Sequence, residues 1–123
     1  MRVVSLLLLA LSACDGGSAD APVLADVQDQ AFKGCALSSC HGAGTGGLTL
    51  DGTAADHDRL VGAASTGDPS KTLVVAGDAD ASYLVAKLEG AAGIVGDTMP
   101  PGSTLSDENL QLVRDWIDGG ALP

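Results

Sequence analysis

The sequence predicts an all-α domain: short helices joined by glycine-rich loops, around a centre that its own side chains do not fill. Three observations predict it. Apolar residues recur at helical spacing in several short segments, while the one β-like run, Leu73-Val74-Val75, is very short. Glycine accounts for 17 of the 123 residues, which keeps elements short and loops frequent. Large core-fillers are scarce, with Phe32, Tyr83 and Trp116 the sole Phe, Tyr and Trp. A small domain is hard to stabilise by burial alone and commonly adds a disulfide, a metal or a partner.

The length suits one domain. Sixteen acidic residues against six basic ones give a net charge of −10. That removes the basic footprint on which nucleic-acid binding depends. A hydrophobic content of 46% argues against wholesale disorder. Beyond the first residues, no segment is apolar for long enough to span a bilayer.

Residues 1–13 read as a signal peptide. Met1-Arg2 is a minimal positive start, and Val3 to Leu11 is apolar apart from Ser5. The run ends Leu11-Ser12-Ala13-Cys14, which resembles a bacterial lipobox with Cys14 as the lipidated first residue of the mature protein. Residues 14–22 are small and polar and read as a flexible tether. The folded domain is then 23–123. Without Arg2 the mature chain from Cys14 carries five basic against sixteen acidic residues, or −11. This arrangement predicts an exported, acyl-anchored protein on the periplasmic side of a bacterial membrane.

Pro22 can open the first helix. Leu24, Val27, Ala31 and Cys35 share one face of it, Phe32 lies alongside, and Gly34 would permit close approach of another backbone. Gly42 to Gly47 is too rich in glycine for a regular element. A short helix is expected over Asp56–Val61. Asp80 is expected to cap another that runs through Leu88 to Gly90, with Tyr83, Leu84, Lys87 and Leu88 on one side. Gly93 to Gly102 is a loop centred on Met99. The last helix starts at an N-cap, Ser106, with Asp107 and Glu108 in its positive first turn. Leu105 and Leu110 stand where a hydrophobic staple belongs. Leu110, Val113 and Ile117 mark its buried face beside Trp116, and Gly119-Gly120 closes it.

The chemistry lies in Cys35-Ala36-Leu37-Ser38-Ser39-Cys40-His41. Haem attachment usually takes Cys-x-x-Cys-His, two thiols forming thioethers with the haem edge and the adjacent imidazole binding iron. Here the Cys–His adjacency is kept and the gap widened to four residues. Three other readings stand beside it. One is a disulfide, suited to an exported protein, although on a continuous helix the two cysteines would lie about 7.5 Å apart along the axis. Another is zinc held by Cys35, Cys40, His41 and His57, with directly adjacent ligands that fit structural zinc poorly. The third is a pair of idle thiols. Haem leads because Met99, the one methionine after the leader, stands before two prolines in a loop, and Met commonly supplies the sixth iron ligand. His57, in a polar stretch, reads as a solvated side chain.

The domain resembles a class I c-type cytochrome, of the single-haem bacterial lipoprotein kind. The resemblance rests on Ala31-Phe32-Lys33-Gly34-Cys35 through His41, on Gly47-Leu48-Thr49-Leu50-Asp51, and on Gly77 to Leu88. It extends through Met99-Pro100-Pro101-Gly102 and Leu112 to Ala121, and so covers about Leu24 to Ala121. It implies a cytochrome c fold around one covalent haem c, attached at Cys35 and Cys40 and ligated by His41 and Met99. It implies that first and last helices cross near Gly34, Phe32 and Trp116, with Leu48 and Leu50 against the haem. One departure stands out. Family members often place a proline carbonyl soon after the attachment motif to accept the ligand His N–H, whereas the first proline after His41 is Pro69.

The function this implies is one-electron transfer rather than catalysis, by a monomer meeting redox proteins with a basic face. Two alternatives belong to other classes. One is a haem sensor or peroxide- or gas-reactive site with a displaceable sixth ligand. The other is a cofactor-free, disulfide-stapled surface module.

Overall fold

The computed structural model describes residues 20–123, so the expected leader, Cys14 and most of the tether lie outside the described residues. The described chain is mostly helical with little strand. Four helices, α1 (Leu24–Gln30), α2 (Ala55–Leu60), α3 (Tyr83–Glu89) and α4 (Asp107–Asp118), are joined by long loops, with 3-10 turns at His41–Ala43 and Thr45–Gly47. α4 packs against both α1 and α3. The β-like run contributes isolated bridges, among them Val74 to Val61.

α1 begins after Pro22. Its first turn is capped in reverse: the Asp26 carboxylate accepts the Val23 N–H at 3.0 Å. Leu24 and Val27 face inward. The regular helix ends at Gln30, earlier than the spacing predicts, and Cys35 instead sits in a turn whose N–H donates to the Phe32 carbonyl. Gly34 is a second correction. A Cβ there would meet nothing within 4 Å, so no backbone approaches it. The close approach between chain start and α4 lies at Gly119 instead, where a Cβ would stand 2.8 Å from that of Ala21.

α3 starts later than expected, because Asp80 and Ser82 are both engaged elsewhere. Asp80 pairs with Arg114 of α4 at 2.8 Å. Ser82 takes the N-cap position, while its hydroxyl donates to the Asp78 carbonyl and accepts the Val75 N–H. Gly90 ends the helix in the left-handed conformation. α4 follows its sequence signals closely. The Ser106 hydroxyl accepts the Asn109 N–H at 3.2 Å, and Val113, Trp116 and Ile117 are wholly buried. Each such side chain contributes roughly 1.5–3 kcal/mol on burial.

Asp56 of α2 is buried and fully partnered. Its two oxygens accept from Gln28, the Asp51 and Gly52 N–H groups and Arg59, tying α1 to the 51–53 turn and to α2. His57 is anchored rather than solvated: its Nε2 lies 2.8 Å from the Ala121 carbonyl oxygen. Beside them, the Thr53 hydroxyl and the Arg59 guanidinium hold the exposed Asp51 carboxyl down from 3.8 to about 2. A carboxyl lowered in the folded state adds stability above its unfolded value and loses it as pH falls through the folded one. The parent protein is therefore expected to lose stability between about pH 4 and 2 more steeply than Asp51→Asn. Urea midpoints across that range test it, and parallel curves would exclude an Asp51 contribution.

Candidate functional site

Between α3, the 46–50 segment and the 95–99 loop lies a mainly apolar cavity of about 280 Å³. Cys35, His41, Leu48, Leu50 and Met99 line it, as do Tyr83, Leu84, Lys87 and Leu88 from one side of α3. Residues 35, 41 and 99, far apart in sequence, are thus brought to one hollow. Cys40 is not in the lining. It is half-buried, with its sulfur 3.8 Å from the Ser39 hydroxyl.

The Cys35–His41 segment closes on itself. The His41 N–H donates to the Cys35 carbonyl at 2.9 Å, and the Cys40 and Gly42 N–H groups both donate to Leu37. The four residues between the cysteines form a compact excursion, with Leu37 at its exposed tip. Gly42 packs directly beneath. A Cβ there would collide with the Ala36 carbonyl oxygen and with the carbonyl of Leu37. These are backbone atoms, so the clash cannot be relieved by a rotamer change. Gly42→Ala is expected to break the excursion and displace His41. Loss of the Gly42 amide's slow exchange would show it, and native-like exchange in the variant would refute it.

His41 is oriented by a backbone carbonyl, though not by that of a proline. Its Nδ1 lies 3.1 Å from the Leu48 oxygen, which assigns the N–H to Nδ1 and leaves the Nε2 lone pair for a ligand. The His41 carbonyl in turn accepts from Gly44 and Leu50. Gly46 and Gly47, both left-handed (φ 70° and 77°), make the reversal that returns Leu48 to His41. At Gly47 a Cβ would also crowd the Thr66 side chain at 2.7 Å. The glycine run between His41 and Leu48 supplies this reversal, but nothing in the sequence names the carbonyl that it delivers.

Cys35 and Cys40 are both free thiols. Burial pushes the Cys35 thiol up, and the neighbouring Cys40 adds to it. Among the described residues no cluster of three or more His, Cys, Asp or Glu is placed to hold a metal. His57, bonded to Ala121, is absent from the cavity lining. His57 is thus placed apart from the cavity that Cys35 and His41 line.

A haem fits the donor set. The cavity is mainly apolar, with one thiol in its wall, an imidazole whose free nitrogen is fixed by its partner, and a thioether from a separate loop. No family model matches the chain, and neither a curated protein nor a solved structure matches it.

Proposed function

We propose that this protein is a monohaem c-type cytochrome, a one-electron carrier held at a membrane surface by a lipid on Cys14. The observation that carries the reading is the convergence of Cys35, His41 and Met99 on a single apolar cavity. Cys35 and Cys40 would attach the group covalently, and His41 Nε2 and the Met99 sulfur would bind its iron. Bound there, haem supplies a reversible ferrous–ferric couple. The chain's own residues do the rest. Leu48 fixes the imidazole tautomer, and Leu50, Leu84 and Leu88 line the site with apolar surface that would shield the iron from water. With His41 and Met99 both committed to the iron, no position would be left for a substrate, which favours electron transfer over catalysis. Apolar surroundings and a thioether ligand favour a raised potential. The charge of −11 left once Arg2 is removed with the leader suits a transient redox partner with a basic face.

The test is a pyridine haemochrome spectrum on protein produced alongside haem-maturation machinery. One covalent haem per chain is expected, and Cys35→Ala and Cys40→Ala should each impair attachment. A colourless protein, or full haem content in both variants, would sink the assignment.

A further inference from the structure

Tyr83 and Lys87 stand one turn apart on α3, and both line the cavity. Both also reach the segment that ends in Met99. The Tyr83 hydroxyl accepts the Val95 N–H at 2.8 Å. The Lys87 ammonium donates to the Val95 carbonyl at 2.7 Å and to that of Asp97. The Lys87 carbonyl accepts the Met99 N–H at 2.8 Å. Segment 95–99 is therefore fastened to a single helix at alternate residues. Apolar packing does not account for its order: residues 95–97 are exposed and belong to no helix or strand. One ammonium satisfying two carbonyls forces the backbone to curl around it, and that curl sets where Met99 is presented.

We propose that Lys87, supported by Tyr83, is a positioning residue for Met99. It holds the thioether over the cavity and so keeps the sixth position closed to small ligands. The proposal rests on Met99 as ligand. Lys87→Met keeps the apolar stem within the cavity wall and removes both hydrogen bonds. Because the bonded groups face solvent, the loss should be local, with the global unfolding midpoint nearly unchanged.

The experiment measures imidazole binding to the ferric holoprotein, with amide exchange at Met99 as a readout independent of the iron. Lys87→Met is expected to bind imidazole roughly tenfold faster, the scale of losing charged hydrogen bonds, and to exchange its Met99 amide faster. Lys87→Arg, which retains donors for both carbonyls, should restore most of the wild-type behaviour. Tyr83→Phe should act in the same direction as Lys87→Met, through Val95. Wild-type binding and exchange in Lys87→Met, with Met99→Ala wide open, would overturn the positioning role alone. Met99→Ala indistinguishable from wild type would overturn Met99 as ligand, and the proposal with it.

Discussion

Trp116→Ala is expected to cost about 3–5 kcal/mol, the range for deleting a buried aromatic side chain. Total stability for a domain of this size is about 5–15 kcal/mol, so the variant would be marginal. Two effects combine. Trp116 is wholly buried among Val113, Ile117 and the core residues of α1 and α3, so truncation opens a void that the surrounding helices can only partly close. Its indole N–H also donates to the Leu122 carbonyl at 2.8 Å, and that same carbonyl accepts the Leu24 N–H at the start of α1. The next link is Ala121, a buried residue with φ 51°, which is held by its N–H to Trp116 O and by its carbonyl to His57. Removing the indole loosens the chain end, α1 and α2 together. Trp116→Phe keeps most of the apolar volume and loses only the hydrogen bond, so it should cost about 1–2 kcal/mol. Urea unfolding of both variants measures this. Equal midpoints for Ala and Phe would mean that the ring does not fill the core.

The same residues resolve the shortage of rings in the composition. Phe32, Tyr83 and Trp116 are all buried, and they are not spread evenly. Trp116 fills the side where α4 meets α1 and α3. Phe32 and Tyr83 stand in the cavity wall. One side of the domain is packed by its own side chains, and the other carries the cavity, lined mainly by aliphatic residues and by these two rings. A flat apolar group would complete the second side without disturbing the first. Protein lacking that group should therefore keep the Trp116 side ordered while the 46–50 and 95–99 segments loosen.

What the sequence made legible follows from how local each signal is. α4 was readable because its cap, its acidic first turn, its apolar face and its terminal glycines all lie within fifteen residues. The trio Cys35, His41 and Met99 was readable because thiol, imidazole and thioether chemistry is named by residue type. The start of α3 was misplaced because Asp80 looks like a cap in isolation, whereas Arg114, 34 residues away, claims its carboxylate. Gly34 was misread for a similar reason. A glycine in a helical pattern suggests close approach, but the helix stops at Gln30 and the contact falls at Gly119. The Leu48 carbonyl was illegible as the partner of His41, because backbone carbonyls carry no residue identity and only proline would have marked one. His57 reads as solvated because its partner, the Ala121 carbonyl, comes from 64 residues away.

The two axial candidates should respond unequally to truncation, because the fold holds them differently. The backbone of His41 is a hub: its N–H bonds to Cys35, and its carbonyl accepts from Gly44 and Leu50. The imidazole adds only the contact to Leu48. His41→Ala should therefore leave the Cys35–Leu50 backbone folded while removing the ring nitrogen proposed to bind iron. Haem attached through two thioethers would then lack its ligand on the rigid side, with Met99 presented from a loop. The expected result is a high-spin or misligated ferric spectrum, low holoprotein yield, and return towards the parent spectrum on adding imidazole. Met99→Ala would remove only the proposed ligand on the 95–99 loop. It should keep the yield and the His41 ligation, lose the Met–iron band, lower the potential and open the iron to imidazole or cyanide. The contrast is what tests the assignment: a large yield defect for His41→Ala with a normal yield for Met99→Ala. Equal defects would mean that the rigid hub around His41 does not distinguish the two sides. A parent spectrum retained in Met99→Ala would show that the electron-carrier reading has the wrong sixth ligand.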